Sequence, residues 1–266
     1  MRTGLADSAR NIRRYALEMG EVQGQGYIGQ ALGVADVLAV LFGHVLRFRP
    51  DDPAWAERDR FLLSVGHYAI AAYAAFAEAG IVEPSELADY GADGSSLPMS
   101  AMASSTPGME ISGGSLGHGL GIATGMGLGL RHRGSSARVV TLLSDGELDE
   151  GSTWEAAMAC AQFGLANVLA VVDVNGLQAD GATVLASGSL VGKWEAFGWT
   201  VRRTDGHDLD ALVTAFDELT AAPTGPSILL ADTRPGRGVP MFEDRERAHF
   251  LPVREDEWAQ AREQLT

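Results

Sequence analysis

The sequence predicts an α/β fold, a parallel sheet with helices on both faces, formed by residues 1–266 as one domain. Three observations predict it. Apolar runs of strand length (Val139, Val140, Leu142 and Leu143; Val168 to Val172) alternate with segments of helical length, as in βαβ units. These runs lead into Asp145 and Asn175, and the span between them suits one crossover helix. The chain is also large enough, at 266 residues and 46% apolar, to bury a full core.

The elements follow in order. Residues 7–20 read as an amphipathic helix with Ile12, Tyr15, Ala16 and Met19 on one face. A glycine-rich turn (Gly24, Gly26, Gly29) precedes a helix near 33–47. Residues 50–53 form a loop, 60–64 a short strand ending at Gly66-His67, and 68–79 a helix. Residues 84–112 lack periodicity and are rich in Ser, Gly, Met and Pro; a loop that long in a compact domain is more often functional than idle. A helix is expected at 115–132, a strand at 137–143, a helix at 151–164 and a strand at 167–173. Helices near 187–197 and 208–221 alternate with strands near 198–203 and 226–232, and residues 233–266 hold a loop and a closing helix. No internal repeat or linker divides the chain.

Composition excludes several classes. A net charge of −15 with no long basic run argues against nucleic acid or an anionic membrane as partner. The single cysteine, Cys160, lies mid-helix and reads as core, so no disulfide framework is possible. The first residues lack the apolar core of a signal peptide, and the apolar stretch from Gly113 to Leu130 is broken by His118 and short for a membrane span. A cytoplasmic protein is the expectation.

Asp145 and Asn175 are placed at the carboxyl ends of neighbouring strands, where open α/β sheets bind ligands. A carboxylate, an amide oxygen and a nearby backbone carbonyl make a hard, all-oxygen set suited to Mg²⁺ carrying a phosphorylated cofactor. The plainer reading is that Asp145, Glu147, Asp149 and Glu150 favour the dipole of the helix that follows; it leaves the matching turn at Asp173-Val174-Asn175-Gly176 unexplained. Gly24-Gln25-Gly26-Tyr27-Ile28-Gly29 fits the dinucleotide pattern, but a helix precedes it where a strand is needed, so it reads as a turn bordering another site. Gly117, Gly121, Gly125 and Gly129 recur every four residues, a stripe for close packing on the sheet or on a partner helix. Gly113 to Leu116 stands at that helix's N-terminus and could offer backbone groups to a ligand. Glu155 reads equally as a solvated charge, His67 and His249 as structural or functional, and His44, His132 and His207 as incidental.

Together these residues carry a resemblance. The spacing from Asp145-Gly146 to Asn175-Gly176-Leu177 is similar to the thiamine-diphosphate motif. The run from Asp145 to Ala157 resembles the transketolase family, as do Asp59 to His67, Thr106 to Glu110, Gly114 to Gly117 and Trp194 to Trp199. The match spans nearly the whole chain and corresponds to the N-terminal, diphosphate-binding (PP-type) half found as a separate subunit in split members. The resemblance implies that Asp145, Asn175 and the carbonyl of Leu177 hold Mg²⁺ (or Ca²⁺ or Mn²⁺ in its place), which bridges the phosphates of thiamine diphosphate. It implies that Gly146 lets the chain approach the diphosphate and that Gly114 and Leu116 lie against the aminopyrimidine. His67 then lines the diphosphate and substrate channel, His249 faces the donor hydroxyls, and Glu150 and Glu155 couple two active sites across a dimer. The catalytic glutamate of the family lies in the other half, so a C-terminal-half partner subunit is implied, in an α2β2 assembly acting on a small-molecule ketose.

Two departures qualify this. Tyr27 stands where the family has a histidine handling the sugar hydroxyl, and a phenol is a poor base at neutral pH. Ser100 stands near the place of a second histidine, in a loop (97–103) that is apolar and carries Met99 and Met102. The cofactor end is kept while the sugar end has lost two histidines. The leading expectation is two-carbon ketol transfer from a ketose phosphate to an aldose. The alternatives are transfer to a lipoyl or acyl carrier protein, and a non-catalytic scaffold.

Overall fold

The computed structural model describes residues 2–179, 181–183, 188–243, 245 and 249–265. The element order is α1 (Arg2–Gln23), β1 (Gln25–Gly26), α2 (Ile28–Val40), β2 (Arg60–Leu63), α3 (Ala69–Glu78), α4 (Gly119–His132), β3 (Val139–Ser144), α5 (Gly151–Gln162) and β4 (Val168–Val174). There follow β5 (Leu177–Gln178), β6 (Gly181–Ala182), α6 (Leu190–Ala196), β7 (Thr200–Asp205), α7 (Leu209–Thr220), β8 (Ser227–Asp232), α8 (Pro240–Glu243), β9 (Leu251–Pro252) and α9 (Glu255–Gln264).

Five strands form the central sheet in the order β2-β3-β4-β8-β7, and every pair is parallel. Its strands read as unbroken apolar runs because both faces are covered. Val140 and Leu142 of β3, with Leu169 and Val171 of β4, face the core shared with α1, α2, α3 and α7. Their neighbours Val139, Leu143, Val168, Ala170 and Val172 face the core beneath α4, α5 and α6. The two-residue period of a strand thus divides one apolar run between two cores.

The helix α2 is buried at every position, in contact with α1, α3 and α7. It continues into one π-helical turn at Leu41–Val45. The stretch Ile28–Val45 is long and apolar enough to cross a membrane, but 83% of it lies inside the fold, as in a core helix. A buried polar cluster locks α1 to α2. The Arg13 guanidinium is bidentate on Asp36, and His207 Nδ1 lies 2.9 Å from Asp36 Oδ2. The Arg234 amide donates to His207 Nε2 at 2.8 Å. His207, read from the sequence as an incidental turn residue, is therefore a half-buried strut between the loops after β7 and β8.

Other differences have local causes. The helix expected at 115–132 begins at Gly119, because Gly117 has φ +81°, a left-handed conformation that ends any continuous helix upstream. Gly117 accordingly leaves the glycine stripe. Gly121, Gly125 and Gly129 lie on the exposed side of α4, and none of the described residues stands within 4 Å of a Cβ built on Gly125 or Gly129. The stripe does not pack on the sheet; Gly127 does, against Val168. Residues 84–112 include a 3-10 helix at Pro84–Asp89, and the first helix is longer than expected, at Arg2–Gln23. The helix expected near 187–197 is seen at Leu190–Ala196; residue 187 lies outside the described residues, as do parts of the 233–266 segment. Cys160 is fully buried within α5, and burial pushes its thiol up to about 11.

Candidate active site

The strand register delivers the first half of the site. Ser144 pairs with Asp173 across β3 and β4, and the Asp145 amide donates to the Asp173 carbonyl at 3.0 Å. Asp145 and Asn175 therefore emerge side by side at the carboxyl edge. The Asp145 carboxylate accepts from the amides of Gly146 at 2.9 Å and Gly176 at 2.6 Å, which ties the two turns together. Gly176 takes φ +73°, and that turn aims its N–H back at Asp145. Burial, and secondarily the neighbouring Asp173, push the Asp145 carboxyl up to about 7 despite those amides.

The amide of Asn175 is fixed on both ends. Its Nδ2 donates to the Tyr68 hydroxyl at 3.0 Å and to Asp173 Oδ2 at 2.6 Å, while its Oδ1 accepts from the Leu177 amide at 2.9 Å. Asp173 also accepts from the hydroxyls of Tyr68, at 2.8 Å, and Thr233. The carbonyl of Leu177 lies 3.6 Å from where a Cβ on Gly146 would stand. Asp145, Gly146, Asn175 and Leu177 are thus brought together. No group of three His, Cys, Asp or Glu side chains among the described residues could hold a metal ion, so any cation here relies on an amide and a carbonyl beside one carboxylate. That donor set fits a hard divalent cation, and a buried carboxyl poised near neutrality fits a positive charge beside it.

The loop before α4 is held from behind by Glu147, which is 0% exposed. Its Oε1 accepts from the Ser64 hydroxyl and, at 2.8 Å, from the Gly117 amide; Ser64 Oγ in turn accepts from the Gly119 amide at 3.0 Å. In front, Gly66 and Gly113 touch backbone to backbone, since a Cβ on Gly113 would stand 2.4 Å from the Gly66 Cα. Gly114 is exposed and Leu116 half-buried above this contact. Ser100 donates to the Gly113 carbonyl at 3.2 Å, and the side chains of Met99 and Met102 are partly exposed beside it.

The second half of the site is aromatic. Tyr27 packs edge-on against His67, His249 and Phe250, with ring centroids 4.6, 5.4 and 5.2 Å apart. His67 also packs edge-to-face at 4.7 Å on Tyr68, the residue that holds Asn175, and so joins the two halves. Burial, with a smaller contribution from His249, lowers the His67 imidazole to about 4, and its Nε2 is buried with no hydrogen-bond partner among the described residues. Glu150, the N-cap of α5, is exposed with its side chain against Gly117, and Glu155 is exposed one turn further along α5.

The family sequence model described as transketolase, thiamine diphosphate binding domain, matches residues 6–266. The chain belongs to the transketolase family. A transketolase family protein of Sinorhizobium fredii is 60% identical over 260 residues, covering 97% of this chain and 93% of the relative. A 6-deoxy-6-sulfo-D-fructose transketolase subunit of Clostridium sp. is 36% identical, covering 97% of this chain and 94% of its own. One of the apulose-4-phosphate transketolase subunits of Actinobacillus succinogenes is 37% identical, with 90% and 87% covered. Among solved structures, transketolase from Campylobacter jejuni superposes with a TM-score of 0.91 at 27% identity, covering 99% of this chain. The chain spans 43% of that transketolase.

For a transketolase-family chain, the sequence motifs found Asp145, Asn175 and the histidines but missed the residues that orient them. Tyr68 and Thr233 have no motif of their own, and Asp173 enters the sequence reading only as part of the turn Asp173-Val174-Asn175-Gly176. Glu147 reads as an acid favouring the dipole of the helix that follows, whereas it points inward. Gln30, beside His249, lies 219 residues away in the chain.

Proposed function

We propose that this chain is the diphosphate- and metal-binding subunit of a heteromeric, thiamine-diphosphate-dependent enzyme that moves a two-carbon ketol unit from a ketose donor to an aldose acceptor. The observation that carries it is the convergence of Asp145, Asn175 and the Leu177 carbonyl, with Tyr68 and Asp173 fixing the Asn175 amide. Asp145, Asn175 and Leu177 would hold Mg²⁺, and Gly146, lacking a Cβ, would let the diphosphate approach. Gly114 and Leu116 would lie against the aminopyrimidine, on a loop pinned by Glu147. When bound, thiamine diphosphate would supply the nucleophilic carbon that accepts and releases the two-carbon unit. His67 and His249 would hand protons to and from substrate oxygens, and Tyr27 would wall the cleft.

A partner subunit would bring the catalytic glutamate, in an α2β2 assembly. The half-length relatives named as parts of transketolases support this, as does the exposed glycine edge of α4. Glu150 and Glu155, exposed beside that edge, would couple two such sites. Titration calorimetry tests the reading: thiamine diphosphate with Mg²⁺ binds the wild type in the presence of its partner, and Asp145→Ala binds neither. Equal affinity in the variant would reject it.

One observation favours a second acceptor. Tyr27 and Phe250 give the cleft an aromatic wall, Met99 and Met102 of the 97–103 loop are exposed, and the Ser100 hydroxyl is engaged by Gly113. A lipoyl or acyl carrier thiol suits such a cleft. Ketose consumption driven by ribose 5-phosphate, set against mass gain on a carrier protein, separates the two.

A further inference from the structure

Gln30 is a polar side chain sealed in the first turn of α2, only 1% exposed. Its Nε2 lies 2.7 Å from Nδ1 of His249. An amide nitrogen donates and cannot accept, so Nδ1 of His249 is the acceptor and carries no proton. In a neutral imidazole the proton then resides on Nε2. The other amide atom of Gln30, Oε1, is buried with no hydrogen-bond partner among the described residues. The described contact with His249 is therefore the one that orients the Gln30 amide.

The backbone builds this contact from two short strands. The strands β1 and β9 pair antiparallel, with Gly26 opposite Leu251 and Gln25 opposite Pro252. The Val253 amide adds a bond to the Gly24 carbonyl at 3.1 Å. One strand leads directly into Tyr27 and Gln30, and the other is led by His249 and Phe250. The ladder thus sets His249 against the start of α2. The ring is further held by Tyr27, nearly perpendicular at 87°, and by His67 at 5.5 Å.

We infer that Gln30 is a positioning residue that fixes His249 as its Nε2–H tautomer, so that His249 offers a proton donor to an oxygen entering the cleft. Burial lowers the His249 pKa, which keeps the ring in the neutral form where a tautomer is defined. The inference rests on the proposed function only in identifying that oxygen as one of the ketose donor. An acceptor in place of the Gln30 amide nitrogen would draw the proton to Nδ1 and turn His249 from donor into acceptor on its other nitrogen.

The test is long-range ¹⁵N–¹H correlation spectroscopy on the full chain labelled at its six histidines, with His249 assigned by its loss in His249→Gln. At neutral pH the wild type should give the Nε2–H pattern for His249. Gln30→Glu should shift it to Nδ1–H or to the doubly protonated form, and Gln30→Leu should give a mixture of tautomers. A wild-type Nδ1–H pattern overturns the inference, as does one unchanged pattern in both variants. Should a variant fail to fold, the wild-type spectrum still decides. Calorimetric titration of the same chain, with its partner subunit added, against thiamine diphosphate and Mg²⁺ reports separately on the proposed function. Absent cofactor binding with an Nε2–H spectrum rejects that function alone, and bound cofactor with an Nδ1–H spectrum rejects this inference alone.

Discussion

A buried hydroxyl and a buried carboxyl carry more of the site than their exposure suggests. Tyr68 is not itself among the expected metal ligands, yet its hydroxyl accepts from Asn175 and donates to Asp173. Groups that orient a metal ligand typically change affinity 10- to 100-fold when removed. Tyr68→Phe should therefore weaken Mg²⁺ binding in the presence of thiamine diphosphate by about that factor, measured by calorimetry; an unchanged affinity would show that Asn175 is held by Asp173 alone. Glu147 is the second such residue. Glu147→Ala should leave the Gly117 amide and the Ser64 hydroxyl without their acceptor and cost roughly 2–4 kcal/mol in urea unfolding, whereas Glu147→Gln keeps the accepting oxygen and should cost less than about 1 kcal/mol. Equal losses would mean that charge, not the acceptor, is what the site needs. Neither residue was legible as functional in the sequence. Asp145 and Asn175 were legible as candidates, because a strand end followed by glycine leaves a local signature. Tyr68 sits in an ordinary Gly-His-Tyr run, and the inward turn of Glu147 depends on Ser64, 83 residues earlier.

At the scale of elements, long periodic segments were readable and short pairings were not. The five sheet strands and their covering helices follow from apolar runs of strand and helix length, and ends differ by a few residues. The β1/β9 and β5/β6 ladders have two residues per strand, too few for any period to register. They nonetheless bring His249 to Tyr27 and frame the turn after Asn175. The glycines of α4 show the same limit, since spacing gives a stripe but not the direction it faces. Gly125 is exposed, with none of the described residues within 4 Å of an added Cβ. Gly125→Ala should therefore stabilise the isolated chain by about 0.5–1 kcal/mol through helix propensity. Chemical denaturation of the chain without its partner checks this; destabilisation would indicate a neighbour that the exposed edge conceals. Gly113→Ala should do the opposite, because its methyl would meet the Gly66 backbone, and faster proteolytic cleavage in the 97–117 segment would report the displaced loop.

The whole molecule balances buried carboxyls of two kinds. Burial is the largest influence on Asp36 and Asp59 and raises both, but hydrogen bonds from His207 and Arg13, and from Arg47 and Arg138, outweigh it and leave both lowered. A lowered carboxyl contributes stability above its unfolded value, here 3.8, and loses it as pH falls through the folded value. Asp145 and Glu147 are pushed up to about 7 from 3.8 and 4.5, chiefly by burial. A raised carboxyl contributes fully below its unfolded value and loses that contribution as pH rises through the folded one. The cofactor-free chain should therefore melt highest near about pH 4 to 5, where the lowered pair is already ionised and the raised pair still protonated. Each raised group then costs up to about 1.4 kcal/mol per pH unit as pH climbs, until it is ionised in the folded chain as well. Mg²⁺ with thiamine diphosphate should flatten this decline, since the Asp145 charge then has a counter-ion. Differential scanning calorimetry from about pH 4 to about pH 8.5 follows the whole curve, and a flat response in the cofactor-free chain contradicts the assignment.

Cys160 gives the molecule an experimental handle. The chain's single thiol is enclosed within α5 and held protonated near neutrality, so maleimide and nitroxide reagents have no native target at the surface. A cysteine placed on any exposed position becomes a unique address for a spin label or fluorophore without first deleting a natural one. Pairs of such labels can then report intersubunit distances in an assembly while the interior of the fold stays as it is.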